Sequence, residues 1–288
     1  MSVPIADQAK SPTHQKTLII WSIISVLLLI LYGETLLKWG KDLWTDPNYS
    51  HGMLIPFVSL YFIKQRFAQL RKTQSITSNK GLLFILPALL LFVLGSVAGE
   101  QFSQRISFVI LLYGLVLFLE GKEIAKLLLF PIALFLFAIP LPYILYNAIA
   151  FPLKLIATKI AAGAIRLFGM PVFRDGNVIH LPHTTLEVVD ACSGIRSLMT
   201  LITLAFLLAS FQLRTFWKRA VLVLLALPLA VLANAGRVAL TGLLTKSNPA
   251  WGSGTLHEIT GWGVFVISFG FLLGISFLME RQREKRVR

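Results

Sequence analysis

The chain has a single cysteine, and the residues around it are of the types that could put a thiol to work. Cys192 lies in Val188-Val189-Asp190-Ala191-Cys192-Ser193-Gly194-Ile195-Arg196-Ser197-Leu198, where a polar, turn-rich segment gives way to an apolar run. A thiol at the start of a helix meets unpaired backbone N–H groups, whose partial positive charge favours the reactive thiolate. Arg196 follows four residues later and falls on the same helical face. The plainer reading is a small residue filling a gap, which is what most free cysteines are. Two distant residues supply what a nucleophile needs. His257 carries an imidazole that titrates near neutrality, able to take a thiol proton and return it to a leaving amine. Arg237 offers a permanently charged fork of donors for an oxyanion or a carboxylate.

Composition decides what kind of molecule must position these groups. Of 288 residues, 56% are hydrophobic and 14% charged, and the mean hydropathy is +0.75. A soluble domain is less apolar and about a quarter charged. Several apolar runs approach the roughly 20 residues needed to cross a hydrocarbon core. The chain therefore reads as an all-α polytopic membrane protein. Its net charge of +14 sits in short loops between spans, the pattern of orientation and anionic-headgroup contact rather than of a nucleic-acid stripe. One cysteine excludes an intrachain disulfide and says nothing of the redox compartment.

About eight spans are expected, at 18–37, a short one at 52–63, then 81–98, 106–120, a fifth ending near Pro140, 194–211, 220–241 and 261–279. Residues 1–17 form a polar tail, 18–280 a single transmembrane domain and 281–288 a basic tail. The first span has no small-residue cleavage site beside it, so it reads as retained. Residues 143–168 carry Lys154, Lys159 and Arg166 at helical spacing and read as an amphipathic helix lying at the interface. Residues 171–190 hold an Asp175-Gly176 turn between short β-branched runs. They predict a small β-hairpin, which an exposed sheet edge would keep outside the bilayer. Lys and Arg number two in the first tail, five in 64–80, two in 121–126, three in 214–219 and five in the last tail. Those stretches hold seventeen of the 27, so both termini are expected on the cytoplasmic side.

With that topology Cys192, Arg237 and His257 all reach the outer ends of their spans, and this coincidence outweighs each residue's bland alternative. Arg237 near lipid is costly unless it pairs or faces a wet cavity, though it could instead snorkel to headgroups. A lone loop histidine is more often a solvated residue than a base, and Arg196 could pair with Asp190 or Glu187. His51, heading a span after Asn48-Tyr49-Ser50, is a further candidate for the same cavity or a simple cap. No metal is expected: His180 and His183 have a proline between them and no helical spacing. His257-Glu258-Ile259-Thr260-Gly261 has glycine where a zinc motif needs its second histidine. No cofactor is implied.

Asn48-Tyr49-Ser50-His51-Gly52, the Gly176–Ile179 hairpin, Glu187-Val188 leading into Ala191-Cys192-Ser193-Gly194-Ile195-Arg196-Ser197, then Asn234-x-x-Arg237 and His257 together resemble the exosortase/archaeosortase family, over roughly residues 20–280. His257 resembles the bacterial form. The resemblance implies a multi-spanning cysteine peptidase or transpeptidase of the bacterial inner membrane. It implies Cys192 as nucleophile, Arg237 and His257 as its partners, and an active site on the extracytoplasmic side. The partners it implies are exported proteins ending in a sorting signal: a Pro-Glu-Pro motif, a transmembrane helix and a basic cluster. Arg196 and His51 are expected to contribute to substrate binding. The reading from a different class is a non-catalytic scaffold or transporter for exported polymer, whose polar residues would line a continuous path.

Overall fold

A computed structural model describes residues 12–188, 195–213, 215–246 and 255–287. These residues form ten α-helices and one small sheet, and they divide into two compact units. One comprises residues 1–45 and 54–139, the other residues 46–53 and 140–288.

The first unit holds α1 (Pro12–Thr45), α2 (Ile55–Gln65), α3 (Phe67–Lys72), α4 (Leu82–Val97), α5 (Gln101–Leu119) and α6 (Lys122–Ala133), the last continued by a tight turn at Leu134–Ala138. α1 is stapled to its neighbours by buried polar bonds. The Tyr32 hydroxyl and Ser107 lie 2.9 Å apart, Thr35 donates to Gln104 at 2.7 Å, and Trp39 donates to the Ala138 carbonyl at 2.8 Å. Arg105 is ion-paired to Asp42. In a helix facing lipid each of these groups would be costly alone, so pairing across the helix seam both neutralises them and fixes register. Glu100 caps α5, accepting from the N–H groups of Phe102 at 2.7 Å and Ser103 at 2.6 Å.

The second unit is organised around α7 (Tyr143–Leu167), α8 (Ile195–Gln212), α9 (Phe216–Leu244) and α10 (Thr255–Val287), with β1 (Phe173–Asp175), β2 (Val178–His180) and β3 (Thr185–Glu187) between α7 and α8. α9 touches all three other helices. Cross-contacts fix the directions. Lys218 at the start of α9 donates to the Met279 carbonyl late in α10, and Ser276 bonds Gln212 at the end of α8. Ile165 near the end of α7 lies against Gly242 near the end of α9, and Leu153 packs on the apolar cluster shared by α8, α9 and α10. α8, α9 and α10 thus run down, up and down, with the sheet at the upper end beside Val238. Small residues make the seam: Ala150, Ala157, Ala161 and Ala162 on α7 are buried, as are Ala226, Ala230, Ala235, Ala239 and Gly242 on α9. A Cβ added at Gly242 would come within 2.8 Å of Ile165. Such residues let apolar helices approach closely where no hydrophobic force distinguishes helix from lipid.

The sheet is antiparallel in the order β1-β2-β3. Gly176 has φ +57° at the first position of a two-residue loop, between Asp175 and Val178, where the right-handed strand twist asks for glycine. Ile179 and Val188 are buried with Ala161, Ile165 and Val238, which seats the sheet's inner face on α7 and α9.

Three expectations change. The hairpin is extended by a third strand, since Thr185–Glu187 pairs back onto β2. Six helices among the described residues, not eight, are long and apolar enough to cross a membrane. The segments at 52–63 and 122–140 yield helices of 11 and 12 residues, about 17–18 Å long at 1.5 Å per residue, and α8 appears only as a shorter apolar helix. Residues 143–168 are the third change. α7 has 25 residues and, by length and composition, is one of these six candidate spans, where an interfacial helix was expected. Beside its three cations it carries an alanine row, Ala150, Ala157, Ala161 and Ala162, that is buried.

Candidate active site

The upper end of the second unit is where the candidate residues must be sought, and helix geometry sets their levels. Arg237 lies 19 residues along α9 from Lys218, and Gly261 lies 18 residues back along α10 from Met279. Both displacements come to about 27–29 Å at 1.5 Å per residue. The two positions do meet: a Cβ at Gly261 would lie 3.1 Å from Arg237 Nη1. The guanidinium is therefore seated against bare backbone, at a point where any larger residue would crowd it. Along α8, counting back 16 residues from Gln212 reaches Arg196, and the same count from Ser276 reaches Thr260. The Arg196 backbone therefore enters α8 level with Thr260 and Arg237. His257 lies one turn before Gly261, on the same face of α10. Cys192 falls outside the described residues, as do the side chains of Arg196 and His257.

The ends that flank Cys192 are well tied. Val188 donates its N–H to the Asn177 carbonyl at 2.9 Å, and its own carbonyl accepts from Asn177 Nδ2 at 3.2 Å. Val188 is buried in the cluster that also holds Val238, the α9 residue that follows Arg237. On the other side, Ile195 opens α8.

The neighbour of His51 is tied to the entry of α7. The Tyr49 hydroxyl accepts from the Leu141 N–H at 3.1 Å, and the Tyr49 and His51 rings are 6.5 Å apart. This puts His51 beside the chain that leads into α7. The Tyr49 phenol is pushed above its usual range, chiefly by burial. His180 is occupied on the sheet's outer face, stacked on Phe173 with 5.7 Å between centroids and 3.3 Å from Thr185 Oγ1.

The structure adds Thr241 and Gly261 to the residues that the sequence singled out. Thr241 and Asn234, both 4% exposed, share the Arg237 side of α9 at i+4 and i−3. That spacing in a largely apolar helix was the available signal for Thr241. Gly261 gave no such signal, because its role depends on which helix lies opposite.

A bundle of apolar helices that carries Asn234, Arg237 and Thr241 near one end, beside a small sheet, is the architecture of a polytopic membrane protein. Residues 43–274 match the family model described as transmembrane exosortase. That match covers well over half of the chain, and the chain belongs to the transmembrane exosortase family. Comparison with curated proteins and with solved structures gave no match.

Proposed function

We propose that this protein is a membrane-embedded cysteine peptidase or transpeptidase that cleaves the C-terminal sorting signals of exported proteins through an acyl-enzyme on Cys192. The observation that carries this reading is the meeting of three chain segments at one level: the entry to α8, Arg237 on α9 and the first turns of α10. Cys192 is four residues from Val188, a reach of at most about 14 Å for an extended chain, and Val188 is buried in the same cluster as Val238. In this mechanism the Cys192 thiolate attacks the scissile carbonyl, and Arg237 stabilises the oxyanion that forms. His257 takes the thiol proton and delivers it to the leaving amine. An amine or water then attacks the thioester and releases the enzyme. Arg196 serves substrate binding from the same end.

Orientation follows from the basic residues of the second unit. Lys218 and Arg219 stand at the lower end with Met279, immediately before the tail that holds Arg281, Arg283, Lys285, Arg286 and Arg288. The positive-inside tendency makes that end cytoplasmic, so the sheet and the site face outward, across the bacterial inner membrane. A substrate anchored by its own helix, with a Pro-Glu-Pro segment outside and a basic cluster inside, would match this arrangement.

A conduit for polymer would need polar residues along the bundle. The core below the site is Leu198, Leu201, Ala205, Ala209, Leu222, Ala226, Ala230 and Leu272, and the buried hydroxyls of Thr158, Thr203 and Ser268 beside it bond back to carbonyls of their own helices, which favours the enzyme. The test is co-expression of a tagged substrate bearing such a signal with Cys192→Ala or Cys192→Ser. Processing should cease in both, and undiminished processing by the alanine variant would end the proposal. A catalytic thiol should also react with maleimide unusually fast near neutral pH.

A further inference from the structure

The sheet has an edge that the reaction as written leaves unused. β2 and β3 pair with Ile179 opposite Leu186 and His180 opposite Thr185. Val188 donates to the Asn177 carbonyl at 2.9 Å and Leu181 to the Thr184 carbonyl at 2.8 Å, so hydrogen-bonded pairs fall at 177, 179 and 181 on β2. Leu186 therefore turns its N–H and C=O toward β2, and Thr185 and Glu187 turn theirs the other way. Among the described residues no strand occupies that side. The edge is also firmly held. Its inner face is buried on α7 and α9, and Asn177 grips both backbone groups of Val188. Thr185 and Glu187 themselves are exposed.

The geometry points to this edge as the docking strand for the extended segment of the substrate polypeptide, a reading that rests on the proposed peptidase activity. Main-chain bonding to a sheet edge holds a peptide straight while leaving its alternate side chains outside the contact. Glu187 is five residues before Cys192 in sequence, so a peptide aligned there lies along the chain that leads to the thiol. A second copy of this protein is a poor occupant. Three residues give an edge of only about 10 Å, and two such edges paired would bury far less than the roughly 1,000 Å² that a stable interface needs.

The test uses the full chain in membranes, carrying Cys192→Ala and a photo-crosslinking amino acid at Thr185, expressed with the tagged substrate. Irradiation should give an adduct carrying the tag, and the same probe at Asp175 on β1 should not. An adduct with a second copy of the chain, or equal capture at both positions, overturns the inference, as does no adduct at Thr185. A second arm keeps Cys192. Thr185→Pro removes the outward N–H and leaves the bonds to β2 in place, so processing should fall about tenfold, the scale of one hydrogen bond lost. Thr185→Ala should stay within about twofold. Equal losses in the two variants would move the effect to the side chain and overturn the inference. An unchanged rate of Cys192 alkylation shows that the proline variant is folded, and if that rate changes the crosslink decides. If Cys192→Ala still processes the substrate, the thiol mechanism fails while the crosslink still reports on the edge.

Discussion

Two arginines are built into apolar helices of this protein, and they are housed in opposite ways. Arg105 on α5 is 2% exposed and ion-paired to Asp42 on α1, amid the Thr35–Gln104 and Tyr32–Ser107 bonds of the same seam. Arg237 on α9 is half-buried and lies against Gly261, at the end of the bundle where α8 begins and α10 begins. A guanidinium neutralised by a carboxylate inside a helix seam is a staple. A guanidinium laid against glycine backbone at the end of the bundle is, in the proposed mechanism, the group that meets the developing oxyanion. Intramembrane arginine is costly in both settings, and only its housing separates a structural role from a chemical one.

The sharpest way to break this contrast is Arg237→Ala. It should slow substrate processing by about 100- to 1,000-fold, the usual cost of losing an oxyanion donor, while the thermal midpoint in detergent stays within a few degrees. A collapse of the fold instead would make Arg237 a second staple. Arg105→Ala should do the reverse. We expect a loss of about 2–3 kcal/mol in stability, below the full figure for a buried pair because Asp42 is half exposed. Processing per folded molecule should be unchanged. Gly261→Ala refines the comparison: its methyl would press on Nη1, and a slight misplacement of the guanidinium should lower the turnover rate about tenfold with little change in midpoint.

The smallest expected effect is at Glu100, which lies between α4 and α5. Burial pushes its carboxyl up, but the hydrogen bonds from Ser103 and Phe102 and the nearby Arg105 charge outweigh it and leave the group below its usual value. Glu100→Ala should cost about 1 kcal/mol of stability, as lost caps do. Because the folded group is the stronger acid, that contribution is complete above the ordinary carboxylate range and fades as pH falls through the lowered value. Thermal midpoints of the two proteins should therefore converge in acid and differ at neutral pH, with activity per folded molecule the same.

Much of this was legible in the chain. Apolar run lengths gave the long helices, and Gly176 marked the first turn of the sheet. The resemblance in Ala191–Ser197, Arg237 and His257 agreed with the family match. What was hidden depended on partners. Lys154, Lys159 and Arg166 are plain in the chain, but the buried alanine row beside them shows only once α7 is packed. The bond from Leu141 to Tyr49, the neighbour of His51, joins residues 92 apart. Asp42 and Arg105 were unremarkable apart, 63 residues from each other, until α1 and α5 packed together.

Because α9 is pressed by α7, α8 and α10 at once, it is the part of the second unit that the bundle can least afford to release. Its amides should exchange with solvent more slowly than those of any neighbour, and in harsh detergent the outer helices should peel away before it. The guanidinium thus rides on the slowest-opening segment, and its position should persist while the helices around it fluctuate.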